Sequence, residues 1–359
     1  MTENINKHFY NIDFFRVFLI LAIVLFHNRI HLSYLNSDLY SFLYNAFGNG
    51  RNAVDAFFVI SGFFLILTFK PALSIINFIK KKYIRLSPVI AFSVLLCGLS
   101  WAMGATDFKL IPNITTIFLL NSFGRFWCIG SNVVLWYTSA LFFGLFVFYC
   151  INKFVAKKYI FSVIFSITFL SILLLQILRH GDYGGYDIVF YHIISVSTLR
   201  AFAGIGTGSL IALSYNNILK ISDTFGEKIF SILEILCFGF IFWWMFCVHN
   251  FVNHFYFLLI FSILFICFLI KKGILSTYTD KPIWAKLGKY TYSIFVTHYI
   301  IIRILYMKLW KNNIEFVQAY PYIPIFINLF AVLLLGIVTY HCIEKPCTNM
   351  LSKIKKENS

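Results

Sequence analysis

The chain has 359 residues, of which 60% are hydrophobic and only 12% are charged. A soluble domain carries roughly 25% charged residues. The composition therefore excludes an ordinary soluble protein, a disordered chain and a disulfide scaffold, and it predicts an all-α polytopic membrane protein. The net charge is +16. Because the basic residues cluster in short loops between apolar segments, this excess indicates membrane topology rather than nucleic-acid binding.

Ten apolar segments approach the roughly 20 residues that the hydrocarbon core of a bilayer requires. The predicted spans are about 12–31, 53–69, 86–104, 133–151, 159–178, 189–213, 229–248, 253–270, 290–309 and 322–343. A weaker apolar segment at 110–123 contains Pro and Asn, which favours a re-entrant or interfacial piece. Since no repeat or flexible linker separates the spans, residues 1–359 are predicted to form a single membrane domain.

The Lys and Arg residues predict the orientation of the chain. If the N-terminus is placed inside, most of them lie in inner segments, including the run at 80–85 and the tail after the last span. Loops rich in Lys and Arg face the cytoplasm, so both termini are predicted to be cytoplasmic. The first span contains Arg16 and has no small-residue cleavage site, which predicts a retained span rather than a signal peptide.

Ionisable residues within a span are costly, and they mark functional or paired positions. Arg16 and His27 lie in the first span. Their spacing on a helix is about three turns, or about 16 Å along one face. This arrangement suits an anionic cofactor that enters from the cytoplasm and reaches His27 with its reactive end. Alternatively, Arg16 reaches lipid phosphates and His27 is hydrogen-bonded within the bundle.

Asp55 precedes the apolar run of the second span and needs a partner, for which Arg16, Arg51 and His27 are candidates. Ion pairing and the orientation of a catalytic histidine are equally open roles for this carboxylate. His27 and His31 have the four-residue spacing of a metal pair, but no further ligand completes the set, so no metal site is predicted.

The segment KKKYIRLSP (80–88) lies at the predicted start of the third span. It is either a topology anchor or a phosphate-binding patch, in which Arg85 offers a planar fork and Lys82 a point charge one turn earlier. Ser61 and Gly62 interrupt the second span, which favours close helix packing.

Three further sites concern histidine and arginine. His298 lies in the ninth span, where it is a candidate to face His27 across a cavity. Arg200 lies beside three closely spaced glycines, which indicates close helix approach around a buried arginine. His249 and His254 flank a short outer turn and are expected to be solvated.

Six segments in order resemble the acyltransferase-3 family of integral membrane acyltransferases, which modify bacterial glycans. Arg16 and His27 resemble the family's pairing of an arginine and a histidine across ten residues. The other segments are VDAFFVISGFFL (54–65), FIKKKYIRLSP (78–88), LWYTSALFF (135–143), LGKYTYSIFVTH (287–298) and IEKPC (343–347). Two residues depart from the family pattern. Lys82 replaces the first arginine of R-x-x-R, and Leu141 stands where many members carry glutamate.

The resemblance implies a membrane O-acyltransferase of the bacterial inner membrane. His27 would be the catalytic histidine, and Asp55 and His298 would be secondary catalytic candidates. The resemblance assigns binding of the donor acyl-CoA, most simply acetyl-CoA, to Arg16, Lys82 and Arg85. The acceptor would be a sugar hydroxyl of an O-antigen, lipooligosaccharide, capsule or exopolysaccharide.

A transporter or flippase of a glycan or lipid-linked intermediate is the alternative from a different functional class. Intramembrane charges, small-residue interruptions and about ten spans are also typical of transporters. The absence of visible inverted-repeat symmetry in the sequence argues against this alternative.

Overall fold

A computed structural model describes residues 8–29, 46, 48–122, 130–181, 188–189, 194–247 and 253–350. Its helices are α1 Tyr10–Asn28, α2 Ala53–Leu67, α3 Ile75–Ala102, α4 Leu110–Ile117, α5 Trp136–Phe154, α6 Lys157–Arg179, α7 Val196–Ser222, α8 Glu227–Cys247, α9 His254–Ile270, α10 Ile274–Tyr278, α11 Pro282–Gly288, α12 Thr291–Leu305, α13 Ile314–Ala319 and α14 Tyr322–Thr339. Two-residue strands, β1 (Ile188–Val189) and β2 (Ile194–Ser195), pair in antiparallel register.

Within these ranges, nine helices are long and apolar enough to cross a membrane. Helix α9 is apolar but shorter, at 17 residues, and it occupies the predicted span 253–270. The all-α polytopic fold is therefore confirmed. Large side chains on the outer face of α6, among them Phe161, Phe165 and Phe169, are exposed, as expected for a surface in contact with hydrocarbon.

The basic segment 80–88 lies inside a helix rather than at its start, which corrects the predicted boundary. Helix α3 begins at Ile75, where the Ser74 hydroxyl accepts a hydrogen bond from the Asn77 amide at 3.2 Å and caps the helix. A helix need not end where the hydrocarbon ends, and a search for apolar runs finds only the part within the hydrocarbon. Helix α7 similarly continues to Ser222, beyond the predicted end at 213.

Helices α2 and α7 form the most extensive helix pair. A Cβ atom added at Gly62 would overlap the carbonyl oxygen of Ile205, and one added at Gly208 would overlap that of Val59. The two backbones are therefore in direct contact, as small residues permit in membrane helices. Gly62 lies within a continuous helix, so Ser61 and Gly62 mark close packing and do not interrupt the helix.

Helix α1 lies near the centre of the bundle and contacts α11 and α12, while α12 also packs along α14. Phe15 of α1 is buried, and its ring lies 5.6 Å from that of Phe261 and 4.2 Å from that of Phe268, both in α9. The contact between α1 and α12 brings the C-terminal turn of α1 against the middle of α12.

Candidate functional site

The structure brings His27 and His298 together. His27 is the penultimate residue of α1, and its ring centroid lies 5.1 Å from that of His298 in α12 and 5.3 Å from that of Tyr299. The sequence analysis named both histidines as candidates, and its suggestion that they face one another agrees with this placement. The metal pair weighed for His27 involved His31, which lies outside the described residues.

His298 is fully buried, and its hydrogen bonding defines its tautomer. Its Nδ1 lies 2.7 Å from the carbonyl oxygen of Phe295, one turn earlier in α12. A carbonyl only accepts, so Nδ1 carries the proton and neutral His298 has an unprotonated Nε2. Among the described residues, this Nε2 has no hydrogen-bond partner. A buried acceptor without a partner is costly and indicates that a proton donor belongs beside it.

A cavity of about 130 Å³ lies beside His27, and it is called the histidine cavity below. Its lining residues are Ile23, Phe26, His27, Arg51, Val54, Val134, Trp136, Tyr137, Arg200 and Phe295. This space is large enough for a small polar group. Arg16 does not line this cavity, although it was predicted to share one face of α1 with His27. That face therefore does not form a continuous wall of the cavity.

Asp55 forms a buried ion pair with Arg200, which lines the histidine cavity. The Arg200 Nε donates to Oδ1 at 2.9 Å and its Nη2 donates to Oδ2 at 3.0 Å. The Nδ1 of His254 lies 3.3 Å from Oδ2. The expected partner of Asp55 was Arg16, Arg51 or His27, and the structure instead places Arg200 and His254 against this carboxylate. Asp55 thus does not line the cavity itself but binds the Arg200 guanidinium, which does. The Arg200 Cζ atom also lies 5.0 Å from the centroid of the Trp136 ring.

The expectation that His254 is solvated is wrong, because this side chain is only 1% exposed. Helix α9 begins at His254 and packs this first residue inward against Asp55. His249 lies outside the described residues. The close contact of α2 with α7 explains the pairing of Asp55 with Arg200, since a Cβ added at Gly204, one turn after Arg200, would lie 3.2 Å from the Asp55 carbonyl oxygen.

Arg16, Lys82 and Arg85 form a second group, called the cationic group below. Arg16 pairs with Asp13 at 3.1 Å and is 31% exposed. Arg85 is exposed on α3 and interacts electrostatically with Arg16 and with Lys82, one turn earlier. Three cations held close together repel one another, so their arrangement favours a bound anion. The structure thus brings together the three residues that the sequence analysis assigned to the donor.

Sequence reasoning missed Glu344, which lies beside the cationic group. Its carboxylate accepts a hydrogen bond from Ser293 at 2.6 Å and interacts electrostatically with Arg16 and Arg85. The sequence did contain a signal for Glu344, because this carboxylate in IEKPC follows directly on an apolar segment. The lining residue Tyr137 was also missed, and an aromatic residue at the start of an aromatic-rich span gives no such signal.

These features define a polytopic helical membrane protein with a histidine pair beside a small cavity and a separate cationic group. A family model described as an acyltransferase domain matches residues 9–342, which is nearly the whole chain. The protein therefore belongs to the acyltransferase-3 family, and the resemblance in the sequence is confirmed. No curated protein and no solved structure matches the chain.

Proposed function

We propose that this protein transfers an acyl group, most simply acetyl, from cytoplasmic acyl-CoA to a sugar hydroxyl of a bacterial surface glycan. The glycan is an O-antigen, lipooligosaccharide, capsule or exopolysaccharide, and the site of action is the bacterial inner membrane. Family membership supports acyl transfer, and the apolar helices support a multi-pass membrane protein. The acceptor, the donor and the orientation of the termini belong to the proposal.

The observation that carries the proposal is the contact of His27 with His298 beside a small cavity. Acyl transfer from a thioester to a hydroxyl needs a group that removes the hydroxyl proton, and an imidazole is suited to this task near neutral pH. The cavity volume of about 130 Å³ favours a short acyl group.

The cationic group supports the donor assignment. CoA carries phosphates, and Arg85 provides a planar guanidinium that can bind a phosphate through two hydrogen bonds. Lys82, on the same helix as Arg85, and Arg16 of α1 add positive charge. Arg16 and His27 are separated by about 16 Å along α1, a distance that the extended pantetheine arm can cover. In this arrangement the phosphates bind at the cationic group while the thioester reaches the histidine cavity.

In the proposed reaction, His27 accepts the proton of the acceptor hydroxyl while its oxygen attacks the thioester carbonyl carbon. The carbon–sulfur bond then breaks, the electron pair leaves on sulfur, and the proton passes from His27 to the thiolate. His298 assists as a positioning residue, because its ring lies against that of His27 with the centroids 5.1 Å apart. Asp55 is also a positioning residue, because it holds Arg200 at the cavity wall.

The transporter alternative has no specific observation in its favour, and membership of an acyltransferase family argues against it. The two functions give different glycans. Loss of an acyltransferase removes the mass of one acyl group per modified sugar, whereas loss of a flippase leaves the mass unchanged and alters the location of the glycan.

The test compares surface glycans by mass spectrometry from cells that carry the wild-type protein, no protein, or His27→Ala. We expect the acyl increment with the wild-type protein and its loss in the other two strains. His180→Asn is the matched control, because His180 is exposed and asparagine tolerates its left-handed backbone. An acylated glycan in the His27→Ala strain, at the wild-type level, would overturn the proposal.

A further inference from the structure

Tyr137, near the start of α5, is a neighbour of both the histidine cavity and one member of the cationic group. It lines the cavity together with His27, and it interacts electrostatically with Arg16. Tyr292, which is an electrostatic neighbour of Tyr137, also interacts with Arg85. A thioester whose CoA portion binds the cationic group and whose acyl carbon reaches His27 therefore passes the phenol of Tyr137.

The phenol is held in place by packing. The Tyr137 ring lies 4.7 Å from the ring of Phe58 and 4.9 Å from the ring of Phe295, and the residue is only 6% exposed. Its hydroxyl interacts with Ser61 of α2 through a side-chain hydrogen bond. A buried hydroxyl on a fixed ring is a donor that needs little reorganisation during a reaction, which is the property of an effective oxyanion-stabilising group.

Arg51 and Arg200 also line the cavity, and the contacts of Arg200 assign it a different role. Its Nε and Nη2 already donate to the two oxygens of Asp55 at 2.9 and 3.0 Å. A guanidinium held by a buried carboxylate shapes the wall and contributes positive potential there. Tyr137, by contrast, lines the cavity and also interacts electrostatically with Arg16.

We propose that the Tyr137 hydroxyl donates a hydrogen bond to the thioester carbonyl oxygen and stabilises the negative charge that this oxygen gains during transfer. This role rests on the proposed acyl transfer. As the acceptor oxygen bonds to the carbonyl carbon, the carbonyl π electrons move to oxygen. When they return, the carbon–sulfur bond breaks and its electron pair leaves on sulfur. The acceptor proton travels through His27 to the thiolate, and Tyr137 keeps its own proton throughout.

The test is Tyr137→Phe, which removes one oxygen and keeps the ring. Inverted membrane vesicles from cells lacking the native gene carry the full-length variant and the cell's own acceptor, and they receive radiolabelled acetyl-CoA. We expect the maximal rate of labelling to fall about 100-fold, as for the loss of one oxyanion donor. The KM for acetyl-CoA should change by less than about twofold, since the lost contact strengthens only in the transition state.

Tyr149→Phe is the matched control on the same helix. The Tyr149 hydroxyl donates to the carbonyl of Leu73 at 2.6 Å, away from the histidine cavity, so its loss should leave the rate unchanged. Equal rates for the two variants would overturn the role of Tyr137. If Tyr137→Phe fails to fold, Ser61→Ala replaces it. A several-fold lower rate at unchanged KM supports the role, and a wild-type rate overturns it.

The same assay separates this inference from the proposed function. Full transfer by His27→Ala would overturn the function itself, together with the role of Tyr137. An inactive His27→Ala beside a fully active Tyr137→Phe would overturn the role of Tyr137 alone.

Discussion

The ring centroids of His27 and His298 lie 5.1 Å apart, where the end of α1 meets α12. The Phe295 carbonyl fixes the proton of His298 on Nδ1 and leaves Nε2 as an acceptor within a fully buried side chain. A single helix does not provide this pair, because the two residues come from opposite ends of the chain. The predictions below follow from this relationship and from the contacts that hold the surrounding helices together.

The first prediction concerns the Nε2 of His298. In His298→Asn the side-chain amide retains a donor for the Phe295 carbonyl, but the variant lacks an acceptor at the position of Nε2. We expect the maximal rate of acyl transfer to fall about 100-fold, because a misplacement of about 1 Å at the reacting group costs roughly that factor. Labelling of glycan by radiolabelled acetyl-CoA in membrane vesicles measures the rate. A His298→Asn protein as fast as the His180→Asn control would contradict the prediction.

The second prediction concerns donor binding by Arg85. Arg85→Ala removes a charged phosphate donor, and loss of such hydrogen bonds costs about 1.5–3 kcal/mol, so the KM for acetyl-CoA should rise at least tenfold. Arg85→Lys keeps the charge but loses the planar fork, so a smaller rise is expected. Lys80→Ala is the control, since it removes a nearby exposed charge of the same sign. A general loss of positive potential would raise the KM equally in Arg85→Ala and Lys80→Ala, and that result would refute a specific phosphate contact.

The third prediction concerns the stability of the Asp55–Arg200 pair. Both side chains are 4% exposed, and removing one partner of a buried pair costs about 3–5 kcal/mol because the other charge stays buried. Asp55→Asn should therefore strongly lower the midpoint of thermal unfolding in detergent. The double variant Asp55→Asn with Arg200→Met should lose less than the sum of the single variants.

The matched control for this pair is Asp223→Asn, which breaks the exposed pair with Lys272. Exposed pairs contribute about 0–1 kcal/mol, so its unfolding midpoint should stay near that of the wild type. Strict additivity of the Asp55 and Arg200 substitutions would show that the two side chains are not energetically coupled.

The fourth prediction concerns the contact between α2 and α7. In Gly62→Ala the new Cβ overlaps the Ile205 carbonyl oxygen, and backbone cannot move aside as a flexible side chain can. The helices must separate, which disturbs the nearby Asp55–Arg200 pair, so the yield of monodisperse protein should fall sharply. Gly239→Ala on α8 is the control, because no atom lies within 4 Å of its added Cβ. Size-exclusion chromatography of both variants provides the measurement, and equal yields would refute the steric argument.

The sequence by itself determined the class of the protein, because the bilayer requires long apolar helices and the composition leaves no other stable fold. It also singled out Arg16, His27 and His298 as candidate functional residues, since an ionisable side chain within an apolar run is energetically costly. The motifs in their order then led to the correct family. All of these signals are local, and each can be recognised in a segment of a few residues.

Only the tertiary structure decided which of these residues meet. The pairing of Asp55 with Arg200 depends on how closely α2 approaches α7, and the burial of His254 depends on the direction in which α9 enters the bundle. Tyr137 became a candidate only when the positions of its neighbours were known. Contacts between helices depend on packing and direction in three dimensions, and these quantities leave no periodic or compositional pattern in a single chain.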